Sequence, residues 1–191
     1  MIDRDAAMAN WEQHIGPSRP CTRAQMEARV ARFATLPASP RAFADTALPE
    51  HQRTLMSVLG LGVSDDPNFK PAVPFAENFH IDYIAADTGR GAALHYHDSE
   101  EVFVAIKGQW TIYWGETGAE SLTLGERDVI SVPPFVLRGF RHASPGTGLL
   151  LSILGGKTPG RVKWAGSVAE RAKAAGVGFD AAGNAVHFEV R

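Results

Sequence analysis

Residues 89–108 read GRGAALHYHDSEEVFVAIKG. His95 and His97 are two positions apart. On an extended strand, residues i and i+2 project to the same side, so both imidazoles point one way. Asp98-Ser99 can turn the chain. Glu101 then begins a second strand carried by the apolar run Val102 to Ile106. Two imidazoles and a carboxylate converging from adjacent strands make a facial triad. Such a triad suits a divalent transition metal and leaves coordination positions open for water, dioxygen or a substrate.

The same period-two pattern extends outward from this stretch. Phe79, Ile81 and Tyr83 alternate with His80 and Asp82, and Trp110, Ile112 and Trp114 alternate with Thr111 and Tyr113. Val129 to Val132 and Leu149 to Leu154 are two further short apolar runs. Turn signals fall between them at Thr88 to Gly91, Lys107-Gly108, Gly115 to Gly118, Pro133-Pro134 and Ser144 to Gly148. Many short strands with no alternating helices predict an all-β sandwich or barrel of antiparallel strands.

With these residues in view, the sequence resembles the cupin superfamily. The first cupin motif is a glycine, five residues, His-x-His, three or four residues, Glu, six residues and a glycine. Gly89, His95, His97, Glu101 and Gly108 match every fixed point, and Glu100 lacks the spacing to Gly108. The resemblance implies an antiparallel double-stranded β-helix, the cupin or jelly-roll barrel. It also implies one divalent metal ion held by His95, His97 and Glu101. The second cupin motif is a glycine, five residues, Pro-x-Gly, two residues, His, three residues and Asn, and it is poorly kept in GERDVISVPPFVLRGFRH. Pro133 fits, but Arg127 and Phe135 stand at the two glycine positions, Arg138 at the fourth ligand and His142 at the asparagine.

An arginine keeps its proton at ordinary pH, so Arg138 is no metal ligand. Two readings of it stay open. Its planar fork can hold a substrate carboxylate beside the metal, or it can turn outward or pair with a core acid such as Asp128. His142 is a reserve ligand, four strand residues from Arg138 and about 13 Å along the strand, so it shares the face at another depth. Strand parity places Phe103, Ala105, Lys107 and Phe140 inside the barrel, with Trp110 or Tyr113 as further wall residues. His80 and Asp82 read as ordinary strand residues that can also support the site. His14, His51, His187 and Cys21 have no assigned role.

Outside the strands the chain reads as helical. Residues 1 to 45 form an expected helical N-terminal arm, with Thr22 to Gln25 at capping-box spacing and Met26, Val30 and Phe33 on one face. A short helical stretch is expected near Pro49 to Leu59. Ser167 to Glu170 is a second capping-box match, opening a short C-terminal helix that Gly176 closes. The expected divisions are the arm at 1–45, the barrel at 46–165, and a helix with a short strand packing on the barrel at 166–191.

The chain has 191 residues, 45% of them hydrophobic, and a formal charge of -2. That balance and the lack of a basic run argue against nucleic acid as a partner. A single cysteine precludes an internal disulfide. No apolar run approaches the roughly 20 residues of a membrane helix. A cytoplasmic homodimer is expected, the dimer because cupins are often dimeric. No Gly-x-Ser-x-Gly and no phosphate-binding glycine loop occurs. The expected function is therefore metal chemistry on a small organic, carboxylate-bearing substrate, dioxygenase-like. Fe2+ is favoured, with Mn, Ni, Co or Zn compatible. A metal-dependent isomerase, decarboxylase or lyase, or a barrel that binds a small molecule without turnover, are the alternatives.

Overall fold

The computed structural model describes residues 8, 11, 14–158 and 160–189. Residues 1–30 and 31–191 form two compact units. In the first unit the capping box of Thr22 and Gln25 is made, with Gln25 N donating to Thr22 Oγ1 at 3.2 Å and Thr22 N to Gln25 Oε1 at 2.8 Å. The helix it opens, α1 (Arg23–Glu27), is a single turn. Met8 is α-helical and Trp11 and His14 are 3-10 helical, while over 15–45 the expected helical arm is corrected to α1 and the 3-10 turns Phe33–Thr35 and Ala44–Ala47; residues 1–7, 9, 10, 12 and 13 of that expectation lie outside the described residues. Met26, Val30 and Phe33 are all exposed, so no buried apolar face repays the cost of nucleating a longer helix.

Among the described residues, thirteen strands fill the second unit. They are β1 (Ala38–Ser39), β2 (Thr54–Leu59), β3 (Phe79–Asp87), β4 (Gly91–Tyr96), β5 (Glu101–Lys107), β6 (Trp110–Trp114), β7 (Glu120–Leu124), β8 (Val129–Val132), β9 (Arg138–His142), β10 (Thr147–Gly155), β11 (Lys163–Trp164), β12 (Val177–Phe179) and β13 (Ala185–His187). One sheet runs β1-β2-β3-β10-β5-β8 and the other β11-β4-β9-β6-β7. The antiparallel pairs β6–β7, β5–β8, β4–β9 and β3–β10 are all present. Their nesting describes one long hairpin, closed at β6–β7, whose two arms wind together and cross between the sheets. That is the double-stranded β-helix, the jelly roll that cupins share.

Side chains from both sheets form the core. Phe103, Ala105, Trp110, Ile112 and Leu150 are fully buried, with Leu55, Ile84 and Phe140 around them. Lys107 departs from the parity expectation and is exposed, because the β5–β10 register shifts between Leu149 and Leu150 and turns the end of β5 outward. The helix expected near Pro49 to Leu59 is only the 3-10 turn Pro49–His51. Thr54 to Leu59 instead pairs with β3 and buries Leu55 and Ser57 on alternate positions, a strand period that tertiary packing enforces.

Helix α2 (Gly166–Ala174) is capped by Ala165 without a side-chain bond, so the expected Ser167 capping box does not form and Ser167 lies in the first turn. Gly176 takes φ +80° past its end, as expected. Ala172 of α2 packs with Ala44 and Val177, and β12 pairs with β13. Among the described residues, no helix is long and apolar enough to cross a membrane.

Backbone conformation explains the damaged second motif. Arg127 and Phe135, at the two positions where that motif carries glycine, are the two described non-glycine residues with positive φ, at 73° and 63°. Their turns are kept while a side chain strains them, at a cost of about 1–2 kcal/mol each. Gly108 of the first motif has φ +79°, and a Cβ there would lie 2.4 Å from His142 Nε2. Urea unfolding should therefore rank three variants: Arg127→Gly gains up to about 1 kcal/mol, Gly89→Ala loses about 1, and Gly108→Ala loses more than Gly89→Ala because it adds a clash to the same backbone strain. Equal losses for the two alanine variants would contradict the packing of His142 over Gly108.

Candidate metal centre

His95 and His97 lie at the end of β4, and Glu101 opens β5. A one-residue register shift between Ala92 and His95 decides which side chains face inward. Ala92 pairs with Phe140, yet His95 rather than Leu94 pairs with Arg138. A slip of one residue exchanges the two faces of a strand, so the shift sends His95 and His97 into the core. Ala93, inside this irregularity, has both backbone groups satisfied from the side. Its N–H donates to Asp45 Oδ2 at 2.9 Å, and its carbonyl accepts from His95 Nδ1 at 2.7 Å.

That last bond fixes a tautomer. A carbonyl only accepts, so His95 Nδ1 carries the proton and Nε2 keeps the lone pair a metal requires. Burial, then the Arg138 charge and His97, hold the His95 imidazole well below its usual pKa, and it is neutral. Burial likewise lowers His97 to about 4, against the partial opposition of Glu101. For Glu101, burial raises the pKa, but Arg138, His97 and the hydrogen bonds from Ser152 and Arg138 outweigh it, so the group lies below its usual range as an anion. One ligand atom from each of the three residues lies within 4.8 Å of the others, and all three are buried. His97 Nδ1 is buried with no hydrogen-bond partner. Two neutral imidazoles and a carboxylate so placed fit one divalent transition metal ion.

Arg138 is fully buried and bound to Glu101. Its Nη2 donates to Glu101 Oε2 at 2.6 Å and its Nε to the same oxygen at 3.2 Å, while Nη1 reaches the carbonyls of His95 and Val136 at 3.4 Å. Ser152 Oγ donates to Glu101 Oε1 at 2.6 Å. The substrate-anchor expectation for Arg138 is therefore corrected. The fork is occupied by an acid of the site itself, neither Asp128 nor an exogenous carboxylate, because β4–β9 register sets Arg138 opposite His95. The three donors occupy three of about four acceptor positions on Glu101, leaving one for an ion. His142 is corrected as well. It faces inward from β9 but pairs with Trp110, its Nε2 lies 2.9 Å from Ser144 Oγ, and it is not in the cluster.

The cavity at the triad is about 30 Å³, and its walls include Arg53, Asp82, Phe140, Ser152 and Trp164. That is room for a water-sized ligand. Burial pushes the Asp82 carboxyl up to about 6, with Glu101 adding to the rise. His80 packs against Gly60 and does not line the cavity. Sequence reading missed Arg53, Asp45 and Ser152. Arg53 and Asp45 carry no motif, and Ser152 shows only as an interruption in the apolar run of β10.

No family model matches the chain, and no curated protein matches it. Among solved structures, the chain is similar to the polyketide cyclase RemF from Streptomyces resistomycificus at 14% identity, over 70% of this chain and 82% of that one, with a TM-score of 0.49. It is similar to a cupin 2 domain-containing protein from Halorhodospira halophila at 16% identity, over 63% and 75%, with a TM-score of 0.48. A cupin 2 conserved barrel domain protein from Rhodopseudomonas palustris shares 14% identity over 74% and 79%, with a TM-score of 0.45. Identities this low say nothing of chemistry, and the fold stands on the strand pairing described above.

The buried Arg138–Glu101 pair generates a stability prediction. Glu101→Gln leaves the guanidinium uncompensated and should cost about 3–5 kcal/mol in urea unfolding, whereas the double variant Glu101→Leu/Arg138→Met should recover most of that loss. A single-variant cost under about 1 kcal/mol would mean the pair is solvated.

Proposed function

We propose that this cupin-fold chain is a metal-dependent enzyme acting on a small carboxylate-bearing organic molecule, with dioxygenase-like chemistry. The observation that carries the reading is the buried His95, His97 and Glu101 cluster, whose three ligand atoms lie within 4.8 Å. His95 presents Nε2, with the Ala93 carbonyl setting ring orientation, and Glu101 supplies the negative charge. A bound Fe2+ would supply Lewis acidity and a redox partner for dioxygen; Mn, Ni, Co or Zn would supply the former. Arg138 holds Glu101 in place and cancels its charge within the protein. Asp82, in the same cavity wall with a pKa of about 6, adds one negative charge when ionised, so a dication added here is still one charge short of balance, which favours an anionic substrate. The small cavity excludes bulk water from the triad. We assign the working form to a cytoplasmic homodimer.

A second reading is a barrel that binds a small molecule without turnover. It is favoured by the same 30 Å³ cavity, too small for an organic substrate beside the triad, and by the guanidinium already seated on Glu101.

Metal content separates the two. After anaerobic loading with Fe2+ and desalting, the chain should retain about one ion, as a single facial triad requires, and His95→Ala and His97→Ala should retain almost none. Elemental analysis checks this. Retention of less than about a tenth of an equivalent of every metal tried, Mn, Co, Ni and Zn included, would leave only the binding barrel.

A further inference from the structure

The two outer faces of the jelly roll differ in chemistry. On the sheet that contains β6, the outward residues Thr123, Thr111 and Arg141 stand in cross-strand register on β7, β6 and β9. Such a polar row is what an antiparallel sheet presents to water. The sheet that contains β3 reverses the pattern. Its inward positions include Asp82, Ser152 and Glu101 at the triad cavity. Its outward positions are apolar. Met56, Tyr83, Leu151, Val104 and Val129 pair in unbroken register from β2 through β3, β10 and β5 to β8. The next outward row is Ile81, Ile153, Val102 and Ser131. Neither row contains a charged side chain.

This face is open among the described residues. Val129 is 60% exposed, and Phe79 and Ile106, farther along β3 and β5, are 46% and 40% exposed. Phe33 lies edge-on against Tyr83 with ring centroids 5.2 Å apart, yet it is itself 56% exposed, so it extends the apolar surface without closing it. Polar groups stand at the ends. Asp87 and Lys107 are exposed at one, and at the other the exposed Glu100 accepts a hydrogen bond from Ser131. An apolar centre with a polar rim is the composition of a protein interface. From strand lengths and spacing, β2, β3, β10, β5 and β8 present about 550 Å² in projection. Two such faces together exceed the roughly 1,000 Å² that a stable interface needs.

We infer that a second copy of this chain packs on this face, outer sheet against outer sheet, related by a two-fold axis. A copy brings the same two rows, so apolar side chains meet apolar side chains and no charge loses its water. Aligned sheets pack about 10 Å apart with their side chains interdigitated, the spacing of a β-sandwich. The contact also backs β3, β10 and β5, which carry Asp82, Ser152 and Glu101 on their other side. The inference rests on the homodimer assigned above and names the face that forms it; metal chemistry does not enter.

Sedimentation equilibrium on the full chain, at about 50 μM and with EDTA present, tests it; an interface of this size holds at micromolar concentration or below. The wild-type chain should sediment at twice its 20.6 kDa. Leu151→Arg places two guanidinium groups in the centre of the contact and should weaken the dimer at least about a hundredfold. Val129→Lys, at a position already exposed and so harmless to folding, should weaken it about tenfold. Thr123→Arg, on the polar outer face, should leave the mass unchanged. Far-UV circular dichroism confirms that each variant is folded. A wild-type monomer would overturn both the homodimer and this face. A dimer that Val129→Lys and a folded Leu151→Arg both leave intact, or one that Thr123→Arg dissociates, would overturn this face alone.

Discussion

The site depends on one irregularity, the register shift in β4 between Ala92 and His95. A regular strand would send Leu94 and Tyr96 inward and the two histidines toward the other face. An unpaired residue in a ladder needs other partners, because a buried backbone group without one is costly. Here Asp45 takes the Ala93 N–H, and His95 Nδ1 takes its carbonyl. The second bond also chooses the tautomer of a metal-binding imidazole. Backbone satisfaction and metal-site chemistry are thus one arrangement, and Asp45 is tied in turn to Arg53.

Two buried arginines do different work on either side of that arrangement. Arg138 and Glu101 form a closed pair. The guanidinium keeps the carboxylate charged in a place where burial alone would favour its protonation. Arg53 is paired on one edge only, through Asp45. Both charges sit in a low-dielectric core, where an unbalanced cation is costly. Each guanidinium is balanced by an acid of the protein itself, Arg138 by Glu101 and Arg53 by Asp45.

Much of this was legible in the letters, and the exceptions share a cause. The His95, His97, Glu101 and Gly108 spacing is local, and local spacing maps directly onto strand parity and a positive-φ turn. Arg127 and Phe135 looked like losses of a motif, yet the backbone there adopts the conformation that glycine favours. Side-chain identity had changed while the turn geometry had not. Arg138 was read as a non-ligand from its chemistry alone, and the structure gives its partner as Glu101, 37 residues away. Past Glu27 the helix was over-extended because the apolar spacing of Met26, Val30 and Phe33 was right while all three side chains stay exposed. Thr54 to Leu59 was read as helical because the strand it pairs with, β3, could not be seen from a local window.

From sequence alone came the all-β class, the candidate triad and the preference for metal chemistry, since each follows from residue type and short-range period. The tertiary structure decided which acid Arg138 neutralises, that His142 serves Trp110 and Ser144 in place of the triad, and that Arg53 and Asp45 belong beside the triad at all. Those outcomes depend on cross-strand register and on which groups remain unpaired after packing. Both are properties of contacts between distant segments, and no local pattern of residues encodes them.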